Sequence, residues 1–277
     1  MKKKIQKNQS RSYQSYKPRS QGISLKKQFG QHFLRDLDVV KTMLGAINSC
    51  GKNVFEIGCG DGFLTREIVK QKVARLWVFE IDQEWASFVA KECSGYPEVT
   101  VFHENFLDVA DNRFEDGAPW ILFSNLPYQV TFPILRKIYH NRSFVKEGVV
   151  MVQEEVAQKI VKKEGRGYGY ISLFFQHYFE WELLIKISPA AFFPPPSVYS
   201  RLLRFKVKEA PLEIEQEERF WKFIKMCFLQ PRRTLRNNID TSLYSLEKIS
   251  EQYLELRAQQ MTMSDFLTVW GGLLLRG

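Results

Sequence analysis

Val54-Phe55-Glu56-Ile57-Gly58-Cys59-Gly60-Asp61-Gly62-Phe63-Leu64-Thr65 is an apolar strand that runs into three alternate glycines and then into the start of a helix. Glycines in such a turn let the chain reverse sharply and let a ligand approach the backbone closely. The spacing G-x-G-x-G is not the dinucleotide fingerprint G-x-G-x-x-G, so the turn alone does not settle the ligand. The next apolar run, Leu76-Trp77-Val78-Phe79, ends in Glu80-Ile81-Asp82. A carboxylate at the end of a second strand, about 20 residues past the glycines, is placed to accept hydrogen bonds from both hydroxyls of a ribose. Taken alone Glu80 reads equally as a surface carboxylate; beside the glycine turn it reads as a ribose ligand. A third run, Val99-Thr100-Val101-Phe102, ends at His103-Glu104-Asn105-Phe106, where Asn105 can contact the adenine amine of a nucleoside cofactor.

A fourth run, Trp120-Ile121-Leu122-Phe123, follows Pro119 and leads into Ser124-Asn125-Leu126-Pro127-Tyr128. An amide, a proline and an aromatic at a strand end suit a planar substrate carrying an NH2 group. The Asn125 carbonyl can accept from the amine, backbone carbonyls near Pro127 can accept again, and Tyr128 can stack on the ring. The plainer reading is a strand turning at a proline with a tyrosine cap. In an open parallel sheet, ligands bind beyond the carboxyl ends of the strands, so all four strand ends would line one cleft. An adenosine-bearing cofactor beside an amine-bearing planar substrate suggests methyl transfer from S-adenosylmethionine to nitrogen.

Working outward, Phe29-Gly30-Gln31-His32-Phe33-Leu34-Arg35-Asp36 reads as a loop entering a helix. Asp36 or Asp38 would cap that helix, with Val39, Val40, Met43, Leu44 and Ile47 on its apolar face. His32 has no spaced partner for a metal and reads as a polar loop contact. Phe132 to Tyr139 reads as a helix, Gly148 to Gln153 as a strand and Glu154 to Val161 as a helix. Gly165 to Tyr170 reads as a mobile loop, either meeting RNA or merely connecting. Two late strands, Trp181 to Ile187 and Ser200 to Val207, flank a Phe-Pro-Pro-Pro loop that would fix Phe192. Beyond Lys208, Phe220, Phe223, Ile224, Cys227 and Phe228 recur at helical spacing. Leu243, Leu246, Ile249, Tyr253 and Leu256 suggest another helix, and Ser264 can cap a last one through Phe266, Leu267 and Trp270. Arg232, Arg233 and Arg236 either grip phosphate or form a solvated face.

The chain therefore divides into a tail (1–24), an α/β domain (25–207) and a small helical domain (208–277). The net charge of +9 is concentrated at the start: residues 1–35 hold ten Lys or Arg and no Asp or Glu, leaving 30 basic against 31 acidic residues in the rest. A tail of that composition is expected to be disordered alone, and either touches a nucleic-acid backbone or only aids solubility. Apolar content of 44% suits a globular protein with a core. No apolar run spans a bilayer and no signal peptide is read, which sets membrane and secreted classes aside. Four cysteines without C-x-x-C pairing argue for a reduced, cytoplasmic protein and against a zinc site.

These motifs together carry a resemblance. From about Leu25 to the C-terminus the chain resembles the ribosomal RNA small-subunit adenine N6,N6-dimethyltransferases, within the family that also holds the macrolide-resistance methylases. The carriers are Phe29 to Leu34, Glu56 to Gly60, Glu80 to Asp82, Asn125 to Tyr128, and Phe192 to Val198. The resemblance implies a Rossmann-like methyltransferase domain with a seven-stranded, mostly parallel sheet and a C-terminal all-helical domain that helps hold RNA. It implies S-adenosyl-L-methionine as cofactor, contacted by His32, Leu34 and Gly58, with Glu80 on the ribose, Asn105 on the adenine, and Asn125 between cofactor and target amine. It implies Asn125, Leu126, Pro127, Tyr128 and Phe192 as the catalytic set, Tyr128 and Phe192 stacking on the target base. The expected reaction is dimethylation of two adjacent adenosines near the 3′ end of 16S rRNA in the pre-30S particle, by a monomer. The alternatives are a resistance-type 23S rRNA methylase and an assembly factor without catalysis. The family pattern has Asp where this chain has Asn105, and Asn in many relatives where it has His32. An Asn carbonyl still accepts from an amine, so Asn105→Asp is expected to retain or improve cofactor affinity.

Overall fold

The computed structural model describes residues 19–20, 22–26 and 30–275. Most of the expected basic tail, 1–24, lies outside the described residues, as do Lys27 and Phe29. A two-residue antiparallel ladder pairs Arg19–Ser20 with Ile23–Ser24.

Seven strands build the central sheet: β1 (Asn53–Ile57), β2 (Arg75–Glu80), β3 (Val99–His103), β4 (Trp120–Asn125), β5 (Val145–Gln153), β6 (Phe179–Ile187) and β7 (Ser200–Val207). Their spatial order is β3-β2-β1-β4-β5-β7-β6. The first five run parallel, and β7 is antiparallel to both β5 and β6. This is the expected Rossmann-like arrangement. β4 is buried from Trp120 to Ser124, as a central parallel strand covered on both faces must be, and it therefore reads as an unbroken apolar run. The edge strand β3 has no fully buried residue. Strand order reverses between β1 and β4, and Ser124 Oγ donates to the Ile57 carbonyl at 2.6 Å, tying those two strand ends together. That switch point is where a doubly wound sheet opens a crevice.

Helices cover both faces. α1 (Leu37–Gly45) is capped by Asp36, whose side chain accepts from the amides of Asp38 and Val39; the cap is Asp36, not Asp38. α2 (Phe63–Val69) and α3 (Gln83–Glu92) follow β1 and β2. α4 (Thr131–His140) and α5 (Glu154–Val161) fall where the periodicity places them. The pattern gives no element after Tyr170, yet α6 (Tyr170–Tyr178) is a helix. Ser172, Leu173, Phe174, Phe175, His177 and Tyr178 are all buried, so α6 has almost no polar face to announce its period.

After β7 come α7 (Glu217–Cys227), α8 (Leu235–Asn238), α9 (Glu251–Leu254) and α10 (Met263–Gly272). The helix expected over 243–256 is mostly absent. The Asp240 carboxylate accepts from both the amide and the hydroxyl of Ser242, a local turn that competes with a helix, and Tyr244–Ser245 instead pairs antiparallel with Leu274–Leu275. α10 is capped by Thr262 in a box with Asp265, two residues before the expected Ser264. One buried apolar cluster continues from Phe55, Phe79 and Trp120 under the sheet to Phe220, Phe223 and Phe266 in α7 and α10. A second lies on the opposite face with α1 and α2. Among the described residues no helix is long and apolar enough to cross a membrane.

Candidate active site

The glycine turn after β1 bends through positive φ at Gly58 (+73°), Gly60 (+51°) and Gly62 (+76°). Gly60 is the most constrained: a Cβ there would lie 2.7 Å from the ring of Phe33, which is itself packed edge-on against Trp85. The end of β2 delivers Glu80 into this turn. Its carboxylate is buried and accepts from the Gly60 amide at 3.0 Å and the Asp82 amide at 2.9 Å. Burial pushes its pKa up, against these backbone hydrogen bonds, which favour the charged form. Of about four acceptor sites on a carboxylate, one on Oε1 is untaken and one on Oε2 meets only the Cys59 thiol, a weak donor at 3.8 Å, so a pair of hydroxyls can be received once that thiol yields.

At the end of β4, Asn125 donates from Nδ2 to the His32 carbonyl at 3.2 Å. That bond fixes the amide so that Oδ1 is its other, accepting end. Leu126 is buried, and its amide donates to the Met151 carbonyl. The Pro127 carbonyl is taken up by Val130 N and Thr131 Oγ1, so it closes the local turn rather than facing outward. The Tyr128 hydroxyl meets Ser200 Oγ at 2.5 Å, and its ring lies nearly parallel to His32, with centroids 6.2 Å apart. Burial raises the pKa of the Tyr128 hydroxyl, consistent with a neutral phenol.

Two adjoining clefts share Gly58, Glu80 and Pro127. The first is lined by residues 30–33, Gly60 and Asn125 to Tyr128. The second has apolar walls, Ile57, Phe79, Ile81, Phe106, Leu107, Val130 and Ile134, with Asn105 among them.

Residues 22–26 and 30–35 form a strap across the first cleft. Lys26 pairs with Asp82 (2.6 Å) and Glu84 (2.7 Å), Gln31 donates to Asp82 at 3.2 Å, and Arg35 holds Asp61 beside the glycine turn. On the far side, Phe33–Leu34 pairs antiparallel with Phe192–Phe193, the Arg35 amide bonds the Ala191 carbonyl, and His32 Nδ1–H donates to the Pro194 carbonyl at 2.8 Å.

The structure thus gathers His32, Gly58, Glu80, Asn125, Leu126, Pro127 and Tyr128 around one cleft and sets Asn105 in its neighbour. Leu34 and Phe192 line neither; they face each other across the strap ladder and are buried, whereas Phe193 is 42% exposed. The apolar walls and Ser200 carry no motif of their own and were beyond sequence reasoning. Asp82 and Lys26 had a signal, an acid two residues past Glu80 and a lysine ahead of the strap, but their pairing is set by the fold.

Glu56, on β1 just before the turn, is fully buried and accepts from Thr65 Oγ1 at 2.6 Å. Burial pushes its carboxyl up to about 8, despite the Thr65 hydrogen bond. The folded chain therefore keeps a proton that the unfolded chain loses near pH 4.5. Stability from this group is whole below that pH and is lost as pH rises toward 8, at a slope of about 1.4 kcal/mol per pH unit. Unfolding free energies from denaturant titration of wild type and Glu56→Gln between pH 5 and 8 should diverge by this slope, the variant gaining relative stability at high pH. Parallel curves would mean that Glu56 is ionised in the fold.

A sheet of this order, with a cleft at its switch point and an amide, proline and tyrosine beside it, is that of an S-adenosylmethionine-dependent methyltransferase. The chain belongs to the ribosomal RNA adenine dimethylase family, whose model matches residues 22–267. It is 36% identical over 248 residues to the Ribosomal RNA small subunit methyltransferase A of Thermotoga petrophila, covering 89% of this chain and 90% of that protein. It is 31% identical over 267 residues to the protein of that name from Staphylococcus epidermidis, covering 90% of each. Among solved structures, a dimethyladenosine transferase from Plasmodium falciparum shares the fold with a TM-score of 0.73 at 20% identity, over 86% of this chain and 96% of that one. The 23S rRNA methyltransferase ErmE does so with a TM-score of 0.67 at 20% identity, over 86% and 98%.

Proposed function

We propose that the chain dimethylates N6 of two adjacent adenosines near the 3′ end of small-subunit ribosomal RNA, in the pre-30S particle, as a cytoplasmic monomer. The observation that carries the chemistry is the Asn125 amide, held by the His32 carbonyl with its oxygen free to accept from an amine beside the Tyr128 ring. The naming of relatives 31–36% identical supports the small subunit over the large.

The residues fit S-adenosyl-L-methionine. Glu80 can receive both ribose hydroxyls once the Cys59 thiol yields, the apolar second cleft suits a flat base with Asn105 at its amine, and the turn at Gly58 lets the remainder approach the backbone near His32. When bound, the cofactor supplies a sulfonium methyl whose departure needs no acid. Asn125 Oδ1 and the Leu126 carbonyl would accept the two protons of the target amine, turning its lone pair out of the ring and along the line of transfer. Tyr128 would stack on the base and hold it there. Phe192, buried behind the strap ladder, would join the stack only if the proline loop shifts. Leu34 supports the strap from beneath. The product proton is lost to solvent after transfer.

Residues 208–277 are proposed to grip RNA beside the cleft. Arg236 is engaged with Glu251 and Glu255, so phosphate contact there falls to the exposed Arg232 and Arg233. The tail is proposed as an electrostatic arm. Deleting 1–24 should weaken RNA binding and flatten its salt dependence; an unchanged slope of log affinity against log salt would exclude that role. The whole reading is tested with labelled S-adenosylmethionine, immature small subunits and large subunits in parallel, mapping methylated nucleotides by mass spectrometry. Dimethyladenosine in the small subunit is expected. Label confined to the large subunit would assign the resistance-type activity, and binding without label an assembly role.

A further inference from the structure

Asn105, which lines the second cleft, has its side chain held at both ends. Its Oδ1 accepts from the Leu107 amide at 3.1 Å, and its Nδ2 donates to Asp108 Oδ2 at 2.9 Å. Turning the amide over would set Nδ2 against the Leu107 N–H and Oδ1 against the Asp108 carboxylate, losing both bonds at once. Asp108 itself is exposed and lies outside that cleft.

We infer that Asp108 is a positioning residue for cofactor selection: by accepting from Asn105 it holds the amide with its oxygen presented to an exocyclic amine, so the two residues act as one polar pair that prefers adenine to a 6-oxo base. This rests on the reading that Asn105 faces the adenine. The pair also reverses the expectation from sequence for Asn105→Asp. A carboxylate at 105 would stand about 3 Å from that of Asp108, where like charges repel. Exchanging the two groups restores the bond with its polarity reversed.

The test is calorimetry of S-adenosylhomocysteine and of S-inosylhomocysteine, in which an oxygen replaces the amine, against four variants matched for melting temperature. Asn105→Asp should weaken S-adenosylhomocysteine about five- to tenfold. Asp108→Asn, which replaces a charged acceptor by a weaker neutral one, should reduce the preference for it over S-inosylhomocysteine several-fold. The double variant should return both to within about twofold of wild type, a coupling expected of residues in contact. Additive single effects, or tighter binding by Asn105→Asp alone, would overturn the inference. Asn105→Ala separates the two levels: unchanged affinity and preference there would overturn the placement of Asn105 at the base, and the pairing with it.

Discussion

Tyr128→Ala should reduce methyl transfer to immature small subunits by about a thousandfold or more while S-adenosylhomocysteine still binds. Removing an aromatic platform forfeits about 1–3 kcal/mol of base stacking. The remaining loss comes from geometry, since an amine no longer held in line with the methyl loses the advantage of orientation, where small displacements cost about a hundredfold. The residues proposed to hold the cofactor, Glu80, Gly58 and Asn105, are untouched, so affinity should stay within about threefold. Tyr128→Phe keeps the ring and loses only the 2.5 Å contact to Ser200, and should cost about tenfold or less. Transfer by Tyr128→Ala at the wild-type rate would remove the stacking role, and a parallel loss of cofactor binding would show that the side chain shapes the cofactor cleft instead.

Glu80→Ala should abolish measurable cofactor binding, with a fall of about 10²–10⁴ in affinity. Two hydroxyl hydrogen bonds to a carboxylate are worth about 1.5–3 kcal/mol each. The carboxylate also accepts from Gly60 N and Asp82 N, so its loss leaves two amides unpaired beside the glycine turn. Melting temperature must therefore be followed together with affinity. Glu80→Gln retains the volume but sets an NH2 group against one of those amide donors, and should fall between wild type and Glu80→Ala. A Glu80→Ala protein that melts normally and binds within threefold of wild type would rule the ribose role out.

Much of this arrangement was readable from residues because it is local. The glycine turn, Glu80 and Asn125-Leu126-Pro127-Tyr128 each sit at the end of a strand whose apolar run is unmistakable, and parallel topology brings those ends together. Contacts set by tertiary structure were not readable. That Asn125 is oriented by His32, Tyr128 by Ser200 and Lys26 by Asp82 depends on segments 56 to 93 residues apart. Phe192 and Phe193 differ only in the face of a two-residue ladder on which each falls, and no pattern so short has a period. α6 escaped notice because it is buried all round. The 243–256 segment misled because its apolar residues keep a helical spacing while turns and a short ladder take up its backbone.

The strap has a consequence for how the protein comes into being. His32 and the Pro194 carbonyl that receives its proton are separated by 162 residues, and Arg35 and Leu34 find their partners at Ala191 and Phe192. One side of the strap can be pinned to Asp61 and Asp82 early in synthesis, but the other waits for the proline loop, because chain closure over such a distance must precede any contact that rewards it. A nascent chain that has already made its glycine turn and Glu80 still lacks the second support of its strap until the proline loop emerges. A product truncated before Pro194 would carry most of the motifs with its strap supported on one side only.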